Sequence, residues 1–228
     1  KDMNRVGLTS FGVPGCNPDV LEIFKKWKAQ GRLNIRTFCI GGVGAGNNAE
    51  GVDKAIPQIA KMKLFQGDSL IDDIYYGEAV YGAVSDPMFA TKSNPKAEDL
   101  MQWRRLAMAI AEAGMPLHVH TELDNTIDAF LDQIEAVNKE HPIKNLRWTL
   151  AHMNQVNTQQ LERMKKLNMY LALHPWGVIN SGNMHELFGD RAYEMPPLKL
   201  IQDSGIMWGF GTDATAANQY MPFVTLGY

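Results

Sequence analysis

Residues able to do chemistry recur in this sequence where apolar runs stop. His120 closes the run Pro116–His120, and His152 follows Leu146–Ala151. His174 follows Met169–Leu173, and Asp213 follows Gly205–Gly211. Lys63 lies inside the short run Met62–Phe65. Neutral imidazoles and a carboxylate are suitable ligands for a zinc-type divalent cation. Such an ion lowers the pKa of water to about 7 and so provides a nucleophile at neutral pH. A neighbouring carboxylate can take the proton and return it. Any one of these histidines also reads as an ordinary hydrogen-bonded strand end. Their repetition at the ends of separate runs is what points to a shared centre.

The stretch LHVHTELDNTIDAF, residues 117–130, carries two histidines two apart. Side chains alternate along a strand, so His118 shares a face with His120 and lies about 7 Å deeper. It reads as core, or as support behind the ligands. His174 faces the same end of the strands and reads as a substrate-side or supporting residue. Trp176, with Tyr75, Tyr76 and Tyr81, is a candidate for an aromatic pocket. Asp124 has two readings. It caps the helix expected from about Asn125, or it reaches back to orient a ligand imidazole.

The elements that must hold these residues follow from the periodicity. Seven short β-like runs alternate with amphipathic helical runs or long loops: Val6–Val13, Leu33–Ile40, Met62–Phe65, Pro116–His120, Leu146–Ala151, Met169–Leu173 and Gly205–Gly211. Asn17-Pro18 marks one helix start and Asn94-Pro95 another. The alternation predicts parallel strands with crossover helices. With no linker or repeat in view, residues 1–228 read as one domain, an incomplete TIM-type (β/α)8 barrel of α/β class. Its C-terminal strand ends would share one mouth. A doubly wound sheet is the rival. The segment Gly44-Ala-Gly46-Asn-Asn-Ala49 keeps that rival open, since it fits a dinucleotide-binding fingerprint with Asp68 about 20 residues on. A dinucleotide-dependent oxidoreductase is therefore one alternative function, and a noncatalytic barrel is another.

Composition narrows the partners. The 228 residues carry a net charge of -3 and are 45% hydrophobic. No basic footprint argues for nucleic acid or an anionic membrane. No apolar run reaches the roughly 18 residues of a membrane span. A small-molecule substrate is expected, and a homo-oligomer is left open. Cys16 and Cys39 show no paired spacing and are expected to be reduced.

The ordered set of motifs resembles the metal-dependent amidohydrolase superfamily, and within it amidohydrolase family 3, which includes N-substituted formamide deformylases. GLTSFGV is similar to that family's G-x-T-S segment, and MKLFQGDSL to its K-L/I-F-x-D-G segment. HVHTELDNTIDAFLDQIE resembles H-A-I-G-D-x-A-I/V-D. RWTLAHMNQV and WGFGTDAT resemble R-x-x-I/L-x-H and G-S/T-D. The resemblance implies a TIM-type barrel and one or two divalent ions, zinc first. It implies His120 and His152 as metal ligands, and Asp213 as both ligand and general acid/base. It places Lys63 at the lysine that bridges two metals in many relatives when carboxylated. The implied reaction is hydrolysis of an amide or related C–N bond, with the metal or His174 polarising the carbonyl oxygen. The sequence departs from the pattern in several ways, among them the absence of the usual proline after the G-S/T-D segment. Gln66-Gly67-Asp68 inverts the D-G order, and Thr121-Glu122-Leu123 replaces A-I-G. The family's first-strand H-x-H pair and its C-terminal strand-rich segment have no counterpart, which implies an internal piece of a longer protein.

Overall fold

A computed structural model describes residues 2–87, 89–214 and 220–227. Seven strands form one sheet: β1 (Ser10–Pro14), β2 (Arg36–Gly41), β3 (Ile71–Glu78), β4 (Leu117–Thr121), β5 (Thr149–His152), β6 (Tyr170–Leu173) and β7 (Trp208–Phe210). All six pairings are parallel, and the strand order is the chain order. The sheet curls with helices on its outside, an incomplete TIM-type barrel. A doubly wound sheet reverses its strand order at a switch point, and this sheet has no reversal. The loop at Gly44–Ala49 therefore has no such crevice to open into. Its Asn48 instead caps the following helix, Ala49–Ile59, by accepting the Gly51 N–H at 2.9 Å.

The alternation of β4 shows how sequence builds the two faces. Leu117, Val119 and Thr121 are buried against the helical layer, while His118 and His120 point the other way and stay half-buried. Behind β4 pack Trp103, Leu106 and Ile110 of the helix Ala97–Glu112 and Ile127, Phe130 and Leu131 of the helix Asp124–Glu140. Trp103 meets Phe130 at 4.9 Å between ring centroids. Each such large apolar side chain contributes about 1.5–3 kcal/mol by leaving water. Trp148 extends this layer, its indole N–H donating to the Met115 carbonyl at 3.1 Å.

Three expectations need correction. Met62–Phe65 is not a strand; the third strand is Ile71–Glu78, inside a stretch that reads as irregular. Asp72 and Asp73 interrupt its apolar pattern. Asp72 is occupied locally, its Oδ1 accepting the Gly67 and Asp73 N–H groups at 2.9 Å each. That turn needs Gly67, because a Cβ there would meet the Ile71 carbonyl oxygen at 2.1 Å. Second, Cys16 and Cys39 form a disulfide, with their Cα atoms 5.3 Å apart. The pairing of β1 with β2 brings them together, and no linear spacing announces it. Third, the helix after Asn94-Pro95 starts later, at Ala97, with Lys96 at its cap and no side-chain cap bond.

Candidate metal and acid–base centre

The ends of β3, β4 and β5 bring Glu78, His120 and His152 together. Glu78 and His152 are the last residues of their strands, and His120 is the last but one of its own. Glu78 Oε1 lies 3.0 Å from His120 Nδ1 and 2.7 Å from His152 Nε2. The His120 and His152 rings are 4.4 Å apart, and His174, one residue beyond β6, lies 4.4 Å from His152 on the other side. His152 and Asp213 hold φ values of 73° and 48°, in the left-handed region. Non-glycine residues pay about 1–2 kcal/mol there, a strain that concentrates at functional sites.

Carboxylates crowd these imidazoles. Asp86, fully buried in the loop after β3, places Oδ1 3.3 Å from His120 Nε2. Its Oδ2 accepts the N–H groups of Glu122 at 2.8 Å and Leu123 at 3.0 Å, and the Thr126 hydroxyl. Glu122 lies 3.9 Å from His152 Nδ1 and 3.8 Å from His174 Nε2, and its other oxygen accepts from Asn154. Asp213 stands three residues past β7, half-buried, and its negative charge acts on His174.

The electrostatics follow from burial and charge together. Burial pushes the Glu78 carboxyl up, but the hydrogen bonds with His120 and His152 outweigh it and hold the group well below the usual carboxylate range. Burial pulls His120 down, yet contacts with Asp86 and Glu78 and the charge of Glu122 raise it to about 10. Burial dominates at Glu122, which rises to about 7, and at His118 and His174, which fall to about 4. The metal-free centre is thus an imidazolium at His120 held between two carboxylates.

The expected residues divide clearly. His120 and His152 are brought together, with His174 beside them. His118 sits deeper on β4 with its ring 6.1 Å from that of Tyr75. His174 is turned inward, only 3% exposed. Trp176 is also buried, tilted against Phe89 at 4.5 Å, while its backbone N–H donates to His174 Nδ1 at 3.1 Å. Tyr76 and Tyr81 lie in the core. Asp124 does not cap its helix, and its side chain bonds neighbouring amides and not an imidazole. It is the first helical residue, and its Oδ1 accepts from Asn157 at 3.0 Å and Gln160 at 2.7 Å.

Lys63 is not part of the cluster. It is exposed and lines a cleft of about 540 Å³ with Lys25, Lys28, Ile71 and Asp72. That is where β3 begins; Glu78 is seven residues further along, roughly 20 Å at the strand rise. This cleft is lined by no histidine and lies where β3 begins, away from the strand ends that carry the cluster.

Glu78, Asp86 and Glu122 escaped the reading of the sequence. A signal existed for Glu78. The stretch Gln66–Asn94 is too long for a structureless loop in a compact domain, and Ile71-x-x-Ile-Tyr-Tyr within it is rich in strand formers.

With the centre in view, comparison with known proteins decides the lineage. The model of the amidohydrolase family matches residues 1–228, the whole chain. This chain belongs to the amidohydrolase family. No curated protein matches it. Among solved structures, the amidohydrolase chain superposes on an uncharacterized metal-dependent hydrolase from Pyrococcus furiosus with a TM-score of 0.69 and 18% identity, over 99% of this chain and 46% of that one. Guanine deaminase from C. acetobutylicum with bound guanine gives 0.63 and 18%, over 100% and 51%. A mutant of atrazine chlorohydrolase from Arthrobacter aurescens TC1, complexed with zinc and atraton, gives 0.53 and 15%, over 93% and 46%. At these identities the likeness is one of fold. The amidohydrolase chain spans about half the length of these proteins.

Proposed function

We propose that the mouth cluster is the metal-binding and acid–base centre of a hydrolase that cleaves an amide or related C–N bond in a small molecule. One observation carries this reading: Glu78, His120 and His152 each bring a ligand-type atom within 4.8 Å of the others at the ends of three adjacent strands. Two imidazoles and a carboxylate are a zinc-type donor set. The residues fit in a second respect. His152 Nδ1 and Glu122 Oε1 are buried with no hydrogen-bond partner among the described residues, so this centre is unsatisfied as it stands.

Glu78, His120 and His152, with Asp213 as a further ligand, would hold a divalent ion, which would supply Lewis acidity for activating water and polarising a carbonyl. Glu78, at the end of β3, would supply the carboxylate that the resemblance expects of a carboxylated Lys63. Asp213, beyond the last strand, accepts the proton of the attacking water and returns it to the leaving nitrogen. The mouth opens at the C-terminal strand ends, where barrels of this kind build their sites. The motif likeness puts N-substituted formamides first among substrates. Guanine deaminase, with a related fold, supports a wider screen of cyclic C–N bonds.

The test is zinc titration of chelator-stripped protein, followed by hydrolysis assays on N-formyl amines, cyclic amides and aminopurines. Glu78→Gln and His152→Ala are expected to weaken zinc binding at least ~100-fold. Asp213→Asn should lower turnover about 10²–10⁴-fold, the usual contribution of a positioned acid/base. Undiminished zinc content in His152→Ala, or full turnover in Asp213→Asn, ends the proposal.

A further inference from the structure

Each of the two central imidazoles faces two carboxylates, one on each ring nitrogen. His120 turns Nδ1 to Glu78 at 3.0 Å and Nε2 to Asp86 at 3.3 Å. His152 turns Nε2 to Glu78 at 2.7 Å and Nδ1 to Glu122 at 3.9 Å. The inner nitrogens share one oxygen, and the outer nitrogens meet separate carboxylates that are almost wholly buried, 0% exposed at the Asp86 side chain and 1% at Glu122. We infer that Asp86 and Glu122 are a pair of positioning residues, each placed to draw the proton of one imidazole to its outer nitrogen when a cation binds, so that both inner nitrogens present lone pairs to a single cation.

The chemistry is that of a carboxylate–histidine–metal arrangement. A histidine binds a metal through an unprotonated nitrogen, and the partner of its other N–H sets the tautomer and the ring orientation. Both carboxylates are themselves fixed. Asp86 Oδ2 is held by two backbone N–H groups at the junction that follows His120 and by the Thr126 hydroxyl. Glu122 is held by Asn154, two residues past His152. Each carboxylate is thus tied to the backbone stretch that carries the ligands.

The same logic decides the role of His174. Glu122, His152 and His174 also bring ligand-type atoms within 4.8 Å and resemble a second metal site. His174 Nδ1, however, accepts the Trp176 N–H at 3.1 Å. A neutral His174 must therefore carry its proton on Nε2, the nitrogen that faces Glu122 at 3.8 Å. That nitrogen is a donor and has no lone pair for a metal. Glu122 Oε1 faces both nitrogens, His152 Nδ1 at 3.9 Å and His174 Nε2 at 3.8 Å, and is the nearest acceptor to each without yet bonding either.

The inference rests on the metal-centre reading above, and the experiment separates the two. Zinc affinity is measured by competition with a chromophoric chelator, and cobalt(II) is added as a spectroscopic probe, for wild type, Asp86→Asn, Glu122→Gln and His174→Gln. Loss of an outer partner typically costs 10–100-fold in affinity. Asp86→Asn and Glu122→Gln should each show that drop, with shifted cobalt d–d bands. His174→Gln should keep the wild-type metal stoichiometry. Thermal midpoints of the stripped proteins report folding; if Asp86→Asn does not fold, Glu122→Gln alone decides. If wild type binds neither ion, the metal-centre reading falls. If wild type binds and Glu122→Gln keeps its affinity and cobalt spectrum, the positioning role falls. A stoichiometry that drops from two to one in His174→Gln overturns it as well, by making Glu122 a ligand.

Discussion

At the scale of residues, the centre is a competition between protons and a cation for the same nitrogens. His120 is protonated at neutral pH in the metal-free protein because Asp86 and Glu78 outweigh the cost of its burial. A cation must displace that proton, so zinc affinity is expected to climb as pH rises from 6 towards 10. Calorimetry in buffers of different ionisation enthalpy checks this; a pH-independent affinity with no proton release would contradict it. His118 makes the opposite contribution to stability. Its folded pKa, about 4, lies below the unfolded value of about 6.5, so in that window the unfolded chain binds the extra proton. Metal-free protein should lose this share of stability as pH falls from 6.5 to 4. Glu122 acts in the other direction, its pKa raised to about 7. Substituting His118 isolates the first effect: His118→Asn should flatten the acid limb in urea titrations at pH 4 to 7. An unchanged limb would mean that His118 is not held neutral.

At the scale of elements, the strand ends stay in place because the helices behind them are packed and tied. Trp103 is 1% exposed and fills the layer between two helices and β4. Trp103→Ala is expected to cost about 3–5 kcal/mol, the range for a large aromatic removed from a core. Denaturant unfolding measures it, and a cost under ~1 kcal/mol would show that the layer repacks. Asp86 serves this scale too, since it accepts the N–H groups of Glu122 and Leu123 just ahead of the helix Asp124–Glu140. Asp124, the residue expected to cap that helix, instead ties it to the Asn157 capping box at the start of the next helix, Thr158–Lys166. Local spacing identifies an acid near a helix start. It does not say which acid the neighbouring loop brings closer.

At the scale of the whole molecule, one cation would join three strands that are distant in sequence. A ligand that binds only the folded chain stabilises it by about 2.7 kcal/mol at a hundred times its dissociation constant. Zinc at that excess should therefore raise the thermal midpoint of the stripped protein by several degrees, and Glu78→Gln should abolish the shift. An equal shift in both proteins would place the ion elsewhere. The monotonic strand order matters here, because it sets β3, β4 and β5 side by side and aims their ends into one mouth.

The sequence alone determined the alternation of strands and helices, the parallel barrel class and the positions of His120 and His152. Those features depend on short periodicities and on residues that end apolar runs, and both are local. Glu78 was hidden because its strand carries Asp72 and Asp73 and lacks a clean apolar face. The disulfide, the outer carboxylates Asp86 and Glu122 and the inward turn of His174 depend on which loops meet across the sheet. Only the tertiary structure decided them, because such contacts arise from parallel pairing between segments far apart in the chain and leave no spacing within it.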